Sequence, residues 1–455
     1  MPLYFIITEA KYQERMMLMN NKKLIKSLIN LVVLSFIGKF LSLLARLSMA
    51  RAIKIEAMSY FSIINPLMVL LLNLSQFGLP LACSTLIAKH PNKTQKLFVS
   101  ALLISISISL LLMALIYILA PYIANNLLNS KGATLATYGL GLLIPLVALS
   151  SMLKALYIGK GDVKATTYST IAEESTRIIF IVFFISFFSN KGPEYGALGA
   201  VIGMAIGEVG QSLFLYLKAP KKAKKDCFYW LIANENDDPA CAIELVKISL
   251  PITIARLIGS LTYCLEPVIY TNMLKGLLDT AEITRNYGVL TGYVMPLLLM
   301  PGFFATALSN YLLPKMSNFV ENKNIKEAKN IFVKLTLFCL TLGFIFSIVL
   351  FFGSSLIMNI LYGTTIGSQY IKILAFPFLI YYVEAPIITA MHAIGKTKSA
   401  LRSTIISSIF RILVLVIFVK RLNIYAVALS TILSAGLDIL LNLIDVTTFL
   451  KRQNV

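Results

Sequence analysis

Residues 98–120 read FVSALLISISISLLLMALIYILA, an apolar run without one charged side chain. At 1.5 Å per residue a helix of this length is about 34 Å long, enough to cross the roughly 30 Å of bilayer hydrocarbon with its backbone hydrogen bonds made internally. Similar blocks lie at about 28–50, 58–88, 135–159, 165–189, 195–217, 244–272, 287–313, 328–359, 367–394, 400–420 and 424–448. A membrane β-barrel would show short segments alternating apolar and polar residues instead. The expectation is an all-α polytopic membrane protein of about twelve transmembrane helices.

Composition agrees. Of 455 residues 58% are hydrophobic and only 14% charged, with mean hydropathy +0.80, more apolar residue than a water-soluble core needs. The net charge of +20 does not indicate nucleic acid, because the charges sit between the apolar blocks. With the N-terminus inside and helices alternating, inside loops hold roughly 24 Lys/Arg and outside loops roughly 8. Both termini are then cytoplasmic. The leading segment carries Lys11, Arg15, Lys22, Lys23 and Lys26, and no small-residue cleavage site follows, so the first helix reads as retained, with Met16, Met17 or Met19 as alternative starts. Cys83, Cys227, Cys241, Cys264 and Cys339 are scattered and read as small apolar packing residues; with only His90 and His392 beside them, no metal or cofactor site is expected.

The longest connection, Lys218 to Ala242, opens with Lys218, Lys221, Lys222, Lys224 and Lys225 and later holds Asp237 and Asp238. It reads as a solvated linker against anionic membrane lipids rather than a metal site. The chain on either side of it is duplicated. Ile158-Gly159-Lys160 after the fourth block reappears as Ile394-Gly395-Lys396 after the tenth, each glycine expected to close a helix. Ser169-Thr170-Ile171 recurs as Ser403-Thr404-Ile405, Arg177-Ile178 as Arg411-Ile412, and Tyr195 with Glu208 as Tyr425 with Asp438. The organisation expected is a cytoplasmic segment 1–26, a six-helix lobe 27–217, a basic linker 218–243, a second six-helix lobe 244–449 and a cytoplasmic tail 450–455. Such halves are related by an axis along the membrane normal and leave a central cavity between them, as in transporters. A re-entrant pore segment of a channel is not evident.

Charges within the apolar blocks cost about 2.5–3.5 kcal/mol each at the bilayer centre, so they face protein or water. Lys39 and Arg46, seven residues apart, share one face of the first helix, and Arg51 marks its outer end. Glu173 and Arg177, spaced i to i+4, form a self-neutralising structural ion pair beside Glu174. Arg256 and Glu266 lie in the seventh block, Glu384 in the tenth, Arg411 in the eleventh, Asp438 and Asp445 in the twelfth. Lys154 and Lys247 read as snorkelling and Asp445 as interfacial. Lys39, Arg46 and Arg256 stand on the opening helix of each half with few acids nearby. They point to an anionic substrate held by phosphate or pyrophosphate. Glu208, Glu266, Glu384 and Asp438 are candidates for coupling to a proton or sodium ion. Gly78-Leu79-Pro80, Pro145, Pro251, Pro267, Pro296, Pro301-Gly302, Pro377 and Pro386 mark expected kinks, on which two halves could rock.

Several stretches resemble a known group. Lys39-Phe40-Leu41-Ser42 through Arg46 to Ala50-Arg51, then Glu56, Pro66 and Gln76-Phe77-Gly78-Leu79-Pro80, are similar to the opening of stage V sporulation protein B-like polysaccharide flippases. These belong to the multidrug/oligosaccharidyl-lipid/polysaccharide (MOP) exporter superfamily, which also holds the lipid II flippase. Ser169 to Ile178, Leu250-Pro251-Ile252-Thr253, and Tyr287 through Pro296 and Pro301 to Leu313-Pro314-Lys315-Met316-Ser317 agree, so the likeness spans nearly the whole chain.

The resemblance implies two six-helix lobes in a V around a central cavity, and a flippase that carries a polyprenyl-pyrophosphate-linked oligosaccharide outward across a bacterial cytoplasmic membrane. It implies pyrophosphate contacts at Arg46, Arg51 and Arg256, and envelope polysaccharide biosynthesis enzymes as partners. The sequence departs from the family at Lys54 and Ser42, where glycine is usual, and in the eighth helix, where Tyr287 to Leu297 lacks the arginine of close lipid II flippases. A multidrug exporter of cationic compounds in the same superfamily would want an acidic cavity. A membrane glycosyltransferase or polymerase would want catalytic groups on long outer loops, but the acids there are few, chiefly Glu56, Glu194, Asp279 and Glu282. The reading is of a transporter, not an enzyme, with a non-transporting accessory protein as the remaining alternative.

Overall fold

The computed structural model describes residues 21–219 and 239–452, and every apolar block of the sequence is helical there. The first part contains α1 (Asn21–Ala52), α2 (Ile55–Gln76), α3 (Leu79–Lys89), α4 (Thr94–Tyr122), α5 (Thr134–Gly159), α6 (Val163–Ser189) and α7 (Pro193–Lys218). Beyond residue 238 come α8 (Pro239–Leu274), α9 (Thr280–Gly288), α10 (Met295–Glu321), α11 (Ile325–Tyr362), α12 (Ser368–Leu374), α13 (Glu384–Ala393), α14 (Thr397–Leu422) and α15 (Ile424–Arg452). Lys221, Lys222, Lys224, Lys225, Asp237, Asp238, Cys227 and the alternative starts lie outside the described residues.

Among the described residues seven segments are long and apolar enough to cross a membrane, and the bent pair Ser368–Leu374 with Pro377–Ala393 makes an eighth if counted as one. Four more helices, α1, α6, α8 and α14, have the length, with 32, 27, 36 and 26 residues. The intramembrane charges concentrate on these four, and three of them line the cavity described below.

Helices before residue 219 pack chiefly on one another, α6 on α7, α5 on both α4 and α7, and α1 on α6. After residue 239, α14 packs on α15 and α8, while α11 and α13 flank α10. The two groups meet where α2 lies against α8 and α9, and the largest buried cluster draws Met58, Phe61 and Ile64 from one side and Tyr270, Tyr287 and Tyr293 from the other. The start of α8 crosses over, with Cys241 and Leu245 buried among Leu79, Ala82 and Leu86.

Lipid is as apolar as leucine, so helix association in a membrane rests on close packing of small residues and on interhelical hydrogen bonds. Both recur here. A Cβ at Gly288 would stand 2.3 Å from Ser59 Cα, and one at Gly343 would stand 2.0 Å from the Tyr382 ring. The hydroxyl of Ser347 donates to the Ala375 carbonyl at 2.8 Å, and that of Tyr382 to the Leu298 carbonyl at 2.7 Å.

The expected breaks are realised unevenly. At Phe77 and Gly78 the backbone turns left-handed, with φ of 46° and 61°, and α3 restarts with Pro80 in its first turn. A π-helical turn, Val289–Val294, precedes Pro296, and Pro377 opens a tight 3₁₀ stretch after the 66° bend. By contrast Pro145, Pro251, Pro267 and Pro301 sit inside continuous helices, as membrane helices tolerate. Gly78 is the most constrained of these sites: besides its positive φ, a Cβ there would meet the Ser249 carbonyl at 2.7 Å. Gly78→Ala is therefore expected to destabilise the protein by about 2–4 kcal/mol, read as a lower unfolding midpoint in detergent, whereas Gly161→Ala, with open space around it, loses only the backbone preference.

The duplicated glycine motif needs a shift. Gly395 adopts φ +73° after α13, but Gly159 is still helical and packs against Ile87, and the left-handed residue after α5 is Gly161. Gly161 and Gly395 stand at the same separation as Arg177 and Arg411, so the structural repeat pairs these two, not Gly159 with Gly395. Lys54, where the family prefers glycine, has φ −65° and ψ 156°, an extended conformation open to any residue.

Candidate cationic cavity between the two halves

A cavity of about 410 Å³ lies between the halves, lined by Lys39, Ser42 and Arg46 of α1, Asn65 of α2, Tyr263 and Glu266 of α8, Thr291, Tyr381, and Arg411 and Thr431 of α14 and α15. Lys39 and Arg46 reach it together because two helical turns separate them, about 10 Å along the axis on one face. Arg46 Nη2 donates to the Thr291 carbonyl at 3.1 Å across the interface, while its Nε is buried without a partner. Thr291 lies in the π-helical turn, a distortion that recurs at functional sites in helices. Among the described residues no carboxylate pairs with Lys39 or Arg46.

Glu266, 1% exposed, is the cavity's carboxylate. It accepts from Tyr287 OH at 3.1 Å and from Arg411 Nη2, which also donates to Thr431 Oγ1 at 2.9 Å. Three cations thus face one carboxylate. In a low-dielectric site that arrangement favours an anion, and guanidinium groups match phosphate oxygens.

The other candidates fall elsewhere. Arg51 is exposed at the end of α1, 3.4 Å from the Ile360 carbonyl, and does not line the cavity. Arg256 is exposed too; it lies on the same face of α8 as Tyr263 but about 10 Å nearer Pro239, outside the lining. Arg177 donates to Glu173 at 2.8 Å and to Glu174 at 2.9 Å, and Lys154 stands 3.6 Å from Glu173, so this cluster neutralises itself within the first half. Glu208 accepts from Ser150, away from the cavity lining. Glu384 and Asp438 share a smaller cavity of about 180 Å³ with Thr404, Ser407, Ser434 and Arg411, where Asp438 accepts from Asn442 at 3.0 Å. No group of three metal-ligating side chains occurs among the described residues.

Arg411 is the cavity residue that the charge argument passed over. Its signal is in the repeat: Arg177 has Glu173 and Glu174 four and three residues before it, whereas Arg411 has Ser407 and Ser408. An arginine stripped of its local acids must find its counter-charge elsewhere.

Beside the cationic cavity lies an apolar one, also of about 410 Å³, between α1 and α10, lined by Phe36, Phe40, Met300 and Phe304 among others. Lys39, Leu43 and Phe303 belong to both. At the Ala50 end the halves close on each other: Tyr293 OH donates to the Ala50 carbonyl at 3.2 Å, and Asn129 Nδ2 to Asn272 Oδ1 at 3.0 Å.

The family model described as polysaccharide biosynthesis protein matches residues 24–320, and that of the lipid II flippase MurJ matches residues 290–453. Stage V sporulation protein B of Bacillus subtilis (strain 168) is 28% identical over 441 residues, 95% of this chain and 85% of that protein. Among solved structures, an inward-facing multidrug resistance MATE family transporter of the MOP superfamily aligns with TM-score 0.72 at 13% identity, covering 93% of this chain and 99% of that one. The lipid II flippase MurJ in an inward closed conformation aligns with TM-score 0.68 at 19% identity, covering 92% and 87%. The fold is thus that of MOP-superfamily exporters.

Proposed function

This chain belongs to the polysaccharide biosynthesis protein family of the MOP superfamily, and we propose that it is a flippase moving a polyprenyl-pyrophosphate-linked oligosaccharide across a bacterial cytoplasmic membrane by alternating access. What supports the reading is the pairing of Arg46 and Lys39, which have no carboxylate partner among the described residues, with an apolar cavity that shares Lys39 and Leu43. Pyrophosphate would lie on the cations and the first isoprene units between α1 and α10. The cations oppose a cationic drug as cargo. Envelope polysaccharide enzymes would act before and after the transfer.

With both termini cytoplasmic, the Ala50 end faces outward. Outward movement of an anion runs with an inside-negative potential, gaining about 2.3 kcal/mol per charge per 100 mV. A proton or sodium ion at Glu384 and Asp438 would serve the return step, with Glu208 as the related acid of the first half. Asp438→Asn is accordingly expected to remove any acceleration by a sodium or pH gradient while leaving substrate binding intact, as measured in proteoliposomes with and without the gradient.

Binding tests the proposal. The purified protein in nanodiscs should hold a fluorescent polyprenyl-pyrophosphate sugar at least about tenfold more tightly than the same lipid with a neutral headgroup, since one charge-assisted contact is worth about 1.5–3 kcal/mol. Equal affinity for the two would remove its basis.

A further inference from the structure

Arg177 and Arg411 are equivalent in the duplicated unit, yet they meet different surroundings. Arg177 is held by two carboxylates of its own helix. Arg411 faces the central cavity, beside the Tyr263 ring at 6.0 Å, and takes its carboxylate from another helix, Glu266 of α8.

We infer that Arg411 is a phosphate ligand of the cavity and that Glu266 competes with the substrate for it, an inference resting on the pyrophosphate reading above. Glu266 occupies the Nη2 position a phosphate oxygen would take. Among the described residues both side-chain bonds of Arg411 are made by that one nitrogen, and Nε is buried without a partner, so the guanidinium fork retains donors for an incoming anion. Glu266 keeps the Tyr287 hydroxyl when Arg411 turns away, which lowers the cost of releasing it.

The consequence is functional. Arg46 belongs to the first half and Arg411 to the second, so a pyrophosphate taking both links the halves through the cargo. Arg411 also supplies from the eleventh block a cation that the eighth lacks between Tyr287 and Leu297. The Glu266 carboxylate limits how tightly that cation grips, and a carrier that must also release its cargo needs such a limit.

The test measures binding of undecaprenyl pyrophosphate to full-length protein in nanodiscs, for the wild type, Arg46→Gln, Arg411→Gln, Arg411→Lys, Glu266→Gln and the Glu266→Gln/Arg411→Gln double variant. Glu266→Gln should bind about tenfold more tightly and Arg411→Gln about tenfold more weakly than wild type, with the double variant matching Arg411→Gln because Glu266 acts through Arg411. Arg411→Lys keeps the charge and a partner for Glu266 but loses the fork, so it should fold as wild type and still bind less tightly. If Arg46→Gln weakens binding while Arg411→Gln and Arg411→Lys do not, Arg411 is no ligand and the inference fails, with the pyrophosphate reading intact. If Glu266→Gln weakens binding as Arg411→Gln does, the pair is a brace and the competition is refuted. If the wild type does not bind the lipid, the pyrophosphate reading itself falls.

Discussion

Replacing Arg46 by alanine lowers the transport rate of a polyprenyl-pyrophosphate sugar about a hundredfold, the largest effect expected of any single substitution in the cavity. Arg46 is a half-buried cation that, among the described residues, makes one hydrogen bond, to a backbone carbonyl, and has a buried Nε with no partner. Much of its solvation has been given up without an ion pair in return. An anionic cargo restores that balance, and each charge-assisted bond to phosphate is worth about 1.5–3 kcal/mol, the range that yields the hundredfold figure. Arg46→Lys keeps the charge but loses the fork, and about tenfold of the loss should remain. Arg51→Ala and Arg256→Ala are expected to change the rate less than twofold, because neither side chain lines the cavity. Rates in proteoliposomes containing equal amounts of folded protein decide among these outcomes. A full effect at Arg51 and none at Arg46 would place the site at the outer rim of α1.

Locking the Ala50 end stops turnover altogether. Asn129 and Asn272 face each other across the halves at 3.0 Å, and Asn272 Nδ2 also reaches the Leu127 carbonyl at 2.8 Å. Asn272 is exposed and Asn129 half-buried, and native Cys83, Cys241 and Cys339 are buried, so with Cys264 and Cys227 replaced by serine, cysteines placed at 129 and 272 can be bridged selectively with a short bifunctional thiol reagent. If the halves must part at this end to release cargo, the bridged protein transports nothing, either single-cysteine variant transports normally, and reductive cleavage of the bridge restores the rate. Transport unaffected by the bridge would exclude separation of the halves here as a step of the cycle.

The fold was legible in the sequence because hydrocarbon thickness fixes how long an apolar run must be, and the runs are clear. Even the charged helices could be placed, since Lys39, Arg46, Glu173 and Arg177 interrupt stretches that are otherwise apolar. The cavity was legible on its α1 side, where one helical face carries Lys39 and Arg46 seven residues apart. It was less so on the other side. Arg256 and Tyr263 share a face of α8, and nothing local says how far along that face the cavity extends. Arg411 finds Glu266 through packing of α14 on α8, a contact between segments 145 residues apart that no periodicity encodes. The register of the glycine repeat was misread for a similar reason: Gly159 and Gly395 look alike in sequence, but only backbone conformation distinguishes a glycine packed against Ile87 from one turning left-handed.

A cavity that carries an anionic lipid-linked sugar should move that lipid and not a cation. The most direct test is to reconstitute the protein in liposomes and follow, side by side, a fluorescent polyprenyl-pyrophosphate sugar exposed to a membrane-impermeant quencher and a cationic dye loaded inside. Faster exchange of the lipid with no movement of the dye is the expected result. Export of the dye with no effect on the lipid, across several sugar headgroups, would contradict it.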